Sequence, residues 1–391
     1  MDTNAAAASR PPLAGPRTVF TQDHEIFRDQ VRRFFERHIV PHHRQWERDR
    51  VVPREVWLEA GAQGILCPML AEEYGGAGAD FGYSAVVIEE IARTNCTGPG
   101  FPLHSDIVVP YIEDLATPER KREWLPRMAR GEIIGAIAMT EPGMGSDLKA
   151  MRTTAKRDGD HYVISGQKTF ISNGQNAGLV IVCAKTDPAA GRRGISLICV
   201  PEGTPGFTKG RNLEKIGLHA QDTSELFFDE VRVPAENLLG EENKGFGYLI
   251  RNLPQERLVI AVRAAMGMEV MLEKTVAYAK ERKIFDGTVF DFQHNRFKLA
   301  DAKAKAAMFR VFADHCLAMH LRGELTVELA AAGKLLGAEM QNRMLDDFLQ
   351  LHGGYGYMAD YEIGRAWADA RVGRIYGGSS EVMTEIIART L

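Results

Sequence analysis

Two glycine-bearing stretches carry most of the chemistry legible in this chain. The first runs Ile137, Ala138, Met139, Thr140, Glu141, Pro142, Gly143, Met144, Gly145, Ser146, Asp147. Glycines at 143 and 145 let backbone N–H groups approach a ligand closely. Thr140 and Ser146 add hydroxyl donors, a set suited to a neutral ring system rather than a charged one. The second runs from Gln350 to Asp369 and holds the pair Gly353 and Gly354 behind a helical pattern. Such a pair can cradle a phosphate or an adenosine. Read alone, the first stretch is equally a polar loop ahead of a β-domain, and the second a helix C-terminus with its turn. No G-x-G-x-x-G follows a strand pattern, and neither a Walker A lysine loop nor H-E-x-x-H occurs. Cys67, Cys96, Cys183, Cys199 and Cys316 are widely spaced and contain no C-x-x-C. They read as small buried thiols in a reducing compartment, not as a zinc knuckle or disulfide framework.

The elements that must position these stretches divide the 391 residues in three. We expect a disordered tail over 1–20, a helical domain over 21–134, an antiparallel β-domain over 135–243 and a helical bundle over 244–391. The fold class is therefore α+β. His24 to His38 reads as one amphipathic helix with Ile26, Phe27, Val31, Phe34 and Phe35 on its apolar side. A helix from Tyr83 is broken at Pro99 and Gly100. Between 135 and 240, runs such as HYVISGQKTFIS and ELFFDEVRV are rich in β-branched and aromatic residues. Pro254 fits the first position of a long helix reaching Arg282, followed by helices over 292–321 and 326–351 and a last one near 381–389. Ligands tend to bind where such domains meet.

Charge and hydropathy exclude other classes. With 48 Lys+Arg against 52 Asp+Glu, the net charge is -4 and no basic block stands out. A generic nucleic-acid binder is not expected. No run of about 18 apolar residues predicts a membrane span. The N-terminal MDTNAAAASRPPLAGPR lacks a secretory core and is too poor in arginine for a transit peptide. Cytoplasmic placement is the expectation, or a mitochondrial matrix in a eukaryote.

In this order and in an α–β–α chain, the two stretches resemble the signatures of the acyl-CoA dehydrogenase family, from about Thr21 to Leu391. NCTGPGF, LPQERL, QLHGG and IYGGSSE resemble most the long-chain-specific branch. The resemblance implies non-covalent FAD between the β-domain and the C-terminal bundle. Ile137 through Ser146 would line the flavin, and Phe170, Ile171 and Ser172 would cover its other side. Arg282, Phe285 and Gln293 match dinucleotide contacts given across a subunit interface, an arginine suiting a pyrophosphate by its planar fork. Gln350, Leu351, His352, Gly353 and Gly354 would meet the adenosine end, and Ser379, Ser380 and Glu381 the flavin side. One departure stands out: the family usually has Phe-Gly after this arginine, whereas Asp286 separates Phe285 from Gly287.

The family reaction removes a proton from the α carbon of an acyl thioester while hydride leaves the β carbon for flavin N5. Many members carry the basic glutamate in a Tyr-Glu-Gly-Thr context before the last helix. Here that position reads Tyr376, Gly377, Gly378, Ser379, without a carboxylate. The isovaleryl and long-chain branches place it at the start of a bundle helix, matching Glu256 in Leu253, Pro254, Gln255, Glu256, Arg257, Leu258. With Pro254 first in its helix, Glu256 would fall in the first turn, where the macrodipole favours the carboxylate. Substrate binding would then strip water and raise its pKa. Glu241, Glu242 and Glu381 lie near in sequence but match no base position.

By the same resemblance Ser146, Pro254, Gln255, Arg257, Gly377 and Gly378 would contact the acyl-CoA. Arg192 and Arg193 would meet CoA phosphates or simply form a solvated turn. The break at Pro99 and Gly100 points to medium-to-long or branched acyl groups. Electron-transfer flavoprotein is the expected acceptor, and a homotetramer built as a dimer of dimers the expected assembly. The alternatives are an acyl-CoA oxidase using O2, disfavoured by chain length, and a DNA-binding or non-catalytic member of the fold.

Overall fold

The computed structural model describes residues 13–391. Most of the expected tail therefore lies outside the described residues. Within its last part Arg17 is held, donating to both oxygens of Asp314 at 2.8 and 2.6 Å and to Glu89 at 3.0 Å.

The N-terminal helices are α1 (Gln22–Phe34), α2 (His43–Asp49), α3 (Arg54–Ala62), α4 (Phe81–Thr94), α5 (Val109–Leu115) and α6 (Pro118–Ala129). Val31, Phe34 and Phe35 are buried as expected, but Ile26 is 61% exposed while His24 and Arg28 turn inward. The inward face is fixed by partners on other elements, Asp80 for His24 at 2.9 Å and Glu89 for Arg28 at 2.8 Å. Helix α4 ends at Asn95, left-handed at φ 51, before Pro99 is reached. Gly100 serves close approach instead: a Cβ there would stand 2.1 Å from Asn173 Oδ1. A π-helical turn over Leu103–Val108 leads into α5.

The middle domain is one seven-stranded sheet of β1 (Gly135–Ala138), β2 (Thr154–Asp158), β3 (His161–Ser172), β4 (Leu179–Lys185), β5 (Ile195–Pro201), β6 (Phe207–Asn212) and β7 (Thr223–Pro234). Most pairs are antiparallel, but β1 and β2 both lie parallel to β4, with Ala138 opposite Val182 and Thr154 opposite Lys185. The long connection from β1 to β2 carries the chain back across the sheet and permits that parallel entry.

The C-terminal bundle holds α7 (Gly245–Glu281), a short hairpin of β8 (Lys283–Ile284) and β9 (Gly287–Thr288), α8 (Gln293–Leu321), α9 (Val327–His352), α10 (Glu362–Ala370) and α11 (Ser380–Ala388). Small residues let α7, α8 and α9 cross closely: a Cβ on Gly337 would meet Phe309 at 2.6 Å. The bundle grips the first domain through Arg310, 2% exposed, whose guanidinium donates to Glu89 at 2.8 Å and Glu269 at 2.6 Å.

Candidate active site

Helix α7 begins nine residues earlier than Pro254 suggests, at Gly245. Gly245 lies on β5, where a Cβ would stand 2.9 Å from the Ile195 carbonyl. That tertiary anchor starts the helix upstream, so Pro254 falls inside it and the Ile250 carbonyl loses its ladder donor. Glu256 is consequently about three turns in, beyond reach of the N-terminal dipole. The expectation of a first-turn carboxylate is thus corrected. Burial decides its protonation: Glu256 is 6% exposed and its carboxyl is pushed up to about 7, against the Tyr111 hydroxyl and Arg257, which pull it down. Tyr111, fully buried on α5, donates to Glu256 Oε1 at 3.0 Å. No sequence signal marks Tyr111 as part of this site.

The loop of Gly377 (φ 62) and Gly378 (φ 92) crosses the same face of α7. A Cβ on Gly377 would stand 2.6 Å from Ile260 Cδ1, one turn beyond Glu256. The structure thus brings the vacant base position and the glutamate to one helical face. Two buried cations lie near each other on this side of α7, one of them donating to the loop. Arg257 is 3% exposed, with Nε and Nη1 unpartnered. Lys334 donates to the Gly378 carbonyl, and burial plus Arg257 lower it to about 8. Gln255 is committed elsewhere, donating to the Asp106 carbonyl at 2.6 Å and meeting His320 at 3.0 Å. Arg192 is exposed and lies over the Phe246 ring at 5.2 Å, about 15 Å along α7 from Glu256. Arg193 beside it is also exposed.

The glycine loop after β1 is pinned from below. Glu141 accepts from Lys168 at 2.9 Å and from the backbone of Arg152 and Thr153 at 2.7 and 3.0 Å. Lys168 also donates to the Met139 carbonyl at 3.0 Å, and Thr169 N–H to Thr140 at 2.9 Å. Ile137, Ala138, Glu141, Met144 and Ile171 are therefore buried framework, and Ser172 belongs to the β3–β7 ladder. What remains open is a face: Gly143 and Gly145 would place a Cβ in free space, Ser146 is exposed, and Phe170 (φ 59) is 67% exposed. An exposed aromatic beside open backbone N–H groups fits a planar ring such as a flavin.

A cavity of about 630 Å³ is lined by Arg282, Ile284 and Gln350, Leu351, His352, Gly353 and Gly354. One protomer thus supplies both groups as a unit. Arg282 has no ion pair among the described residues and lies over the Tyr355 ring at 5.1 Å, leaving its charge available for a pyrophosphate. Tyr278, stacked on His352 at 4.1 Å, and His294, Asn295 and Lys298 also line the cavity and carried no motif. Gln293 and Phe285 do not line it. Phe285 and Asp286 form the two-residue turn between β8 and β9, so the unexpected acid sits at an exposed hairpin tip. Ser379 caps α11 through Val382 N–H at 3.3 Å, and Ser380 is buried, donating to Glu339 at 2.7 Å. Glu381 is exposed in the first turn of α11.

Tyr111→Phe tests the link to Glu256. A hydrogen bond to a charged group contributes about 1.5–3 kcal/mol, so its loss raises the carboxyl further. The acid limb of the kcat/KM–pH profile is expected to move up by about one pH unit or more. An unmoved limb would separate Tyr111 from the group that titrates there.

Three family models match in sequence: the acyl-CoA dehydrogenase N-terminal domain over 21–132, the middle domain over 136–231 and the C-terminal domain over 243–391. The long-chain specific acyl-CoA dehydrogenase of Sus scrofa mitochondria is 50% identical over 379 residues, 96% of this chain and 88% of that protein. An acyl-CoA dehydrogenase structure from Geobacillus kaustophilus superposes with TM-score 0.94 at 48% identity, covering 96% and 99% of the two chains. A glutaryl-CoA dehydrogenase from Mycobacterium smegmatis, solved in complex with FADH2, superposes with TM-score 0.87 at 30% identity over 95% of each. Among the described residues no helix is long and apolar enough to cross a membrane.

Proposed function

The chain belongs to the acyl-CoA dehydrogenase family of oxidoreductases, and from that premise we propose an FAD-dependent α,β-dehydrogenation of a medium- to long-chain or branched acyl-CoA, with Glu256 taking the α proton. The carrying observation is the buried Glu256, its carboxyl near 7, on the helical face crossed by Gly377 and Gly378. A base poised near neutrality both accepts the proton and is ionised enough to do so.

The open face at Gly143, Gly145, Ser146 and Phe170 would hold the flavin, and Arg282 with Gln350–Gly354 the nucleotide end of a neighbouring protomer's cofactor. Bound there, FAD supplies the hydride acceptor. The chain's own part is to place Glu256 over the α carbon and to polarise the thioester carbonyl. Backbone N–H groups near Gly377 and the buried cations Arg257 and Lys334 set a positive potential against the developing enolate, each well-aimed donor contributing roughly 3–4 kcal/mol. Tyr111 holds the carboxylate in its geometry. Phe285 at 87%, Tyr357 at 84% and Phe297 at 63% exposure leave apolar surface on the bundle that suits subunit packing. Assembly as a homotetramer and electron transfer to electron-transfer flavoprotein belong to the same reading.

Anaerobic titration of the yellow protein with acyl-CoAs tests the reaction: bleaching of the flavin is expected, and an unbleached spectrum with every thioester would overturn it. Dye-linked turnover with little peroxide is expected over O2 consumption.

Gly377→Glu in a Glu256→Gly background is expected to recover part of the activity lost in the single variant. Recovery stays well below wild type, because φ 62 strains a non-glycine residue and its Cβ displaces Ile260. A folded, flavin-loaded double variant with no gain over Glu256→Gly would show that the two positions do not share one substrate atom.

A further inference from the structure

The stripe of α7 that carries Glu256 continues through Ile260, Arg263 and Gly267, at the four- and three-residue spacings of one helical face. Ile260, Arg263 and Gly267 line a second, small cavity of about 30 Å³ between the end of α4, α7, α9 and α10. Tyr376 lines it too, and the next residue, Gly377, meets Ile260 at the proposed reaction centre. The cavity thus lies directly beyond the base along the helix.

Its walls are apolar at Ile260, Met271, Ala338 and Leu345, but its polar groups are unusual. Arg263 is half-buried and forms no ion pair among the described residues. Its guanidinium reaches one partner, the Tyr376 hydroxyl, at 3.5 Å. Asn95 Nδ2, buried at the end of α4, has no hydrogen-bond partner. Asp369 is the one acid on the lining, and it does not answer Arg263. Its oxygens are taken by Leu218 N–H at 2.5 Å and the Thr97 hydroxyl at 2.7 Å. Gln341 on the lining brings both a donor and an acceptor, so the one charge left unanswered in this cavity is that of Arg263, a full positive charge with a planar fork. A carboxylate complements that fork in charge, shape and hydrogen-bond sense. A plain hydrocarbon end would leave the guanidinium and the amide unpaired as water is expelled.

We propose that this cavity is the distal end of the acyl site and that Arg263 receives a carboxylate carried on the far end of the acyl group, so the substrate class is an ω-carboxyacyl thioester. The assignment rests on Glu256 addressing the α carbon. Seven residues separate Glu256 from Arg263, about 10 Å along the helix, which suits an acyl chain of medium length.

The test uses the flavin-loaded enzyme and matched pairs of thioesters: hexanoyl with adipyl, octanoyl with suberyl, and decanoyl with sebacyl-CoA. Anaerobic flavin reduction gives kcat/KM for each. The carboxylated member of at least one pair is expected to be preferred by about tenfold or more. Arg263→Leu is expected to lower the ratio of carboxylated to plain substrate by about thirtyfold, and Arg263→Lys to keep part of it. Preference for the plain member in every pair, or an Arg263→Leu variant that changes both members alike, would overturn the assignment while leaving the dehydrogenation intact. A flavin that no thioester reduces would overturn the reaction itself, and this assignment with it.

Discussion

Glu256→Gln is expected to keep flavin and bind acyl-CoA yet reduce its flavin about 10²–10⁴-fold more slowly than wild type. The amide keeps the size of the carboxylate, and its oxygen can still accept from Tyr111, so folding should be little changed. What it lacks is a site for the α proton. The effect should fall on the rate of flavin bleaching in a stopped-flow experiment and not on the affinity for a thioester. With Glu256 as the proposed base, the same carboxyl is expected to set the pH dependence: raised to about 7 by burial, it is protonated below that pH and ionised above it. The rate with saturating enzyme and limiting substrate should therefore rise through neutrality, and the Glu256→Gln residual rate should lose that rise. A variant that bleaches its flavin at the wild-type rate would remove Glu256 from the chemistry.

Lys168→Met is expected to destabilise the fold by about 3–5 kcal/mol and to lower the flavin content of the purified protein. Lys168 is fully buried and Glu141 is 5% exposed. Burial alone would raise the Glu141 carboxyl, but Lys168 and the backbone donors of Thr153 and Arg152 hold it below its ordinary range. Removing the ammonium leaves a buried carboxylate on two backbone N–H groups and frees the Met139 carbonyl. The loop from Met139 to Ser146 then loses its tie to β3 at the point where it would meet the flavin. Adding Glu141→Gln should restore part of the stability, because the uncompensated charge goes with it. The measurement is thermal unfolding together with the flavin-to-protein absorbance ratio. Unchanged melting with full flavin would show that the pair does not support the loop.

The division into helical, β and helical parts was readable because its signals are local. Apolar periodicity, β-branched runs and glycine clusters report on a few neighbouring residues at a time. The candidate site stretches are local in the same way: Gly143 and Gly145 stand open, and Arg282 shares a cavity with the Gln350–Gly354 turn. At several positions a distant partner outweighs a local rule. Pro254 satisfies the rule for a first helical position, yet the packing of Gly245 on β5 started α7 upstream. Ile26 fits the apolar stripe of α1, yet Glu89 and Asp80 drew Arg28 and His24 inward. Asn95 ended α4 before Pro99 could.

The order of elements, the presence of a glutamate at 256 and the absence of one at 377 were determined by the sequence alone. The tertiary structure decided how strongly that glutamate holds a proton. Its pKa comes from burial, which raises it, offset by a tyrosine 145 positions away in the chain and by Arg257 beside it. Proton affinity at a buried site is a sum over neighbours in space, and only folding chooses those neighbours.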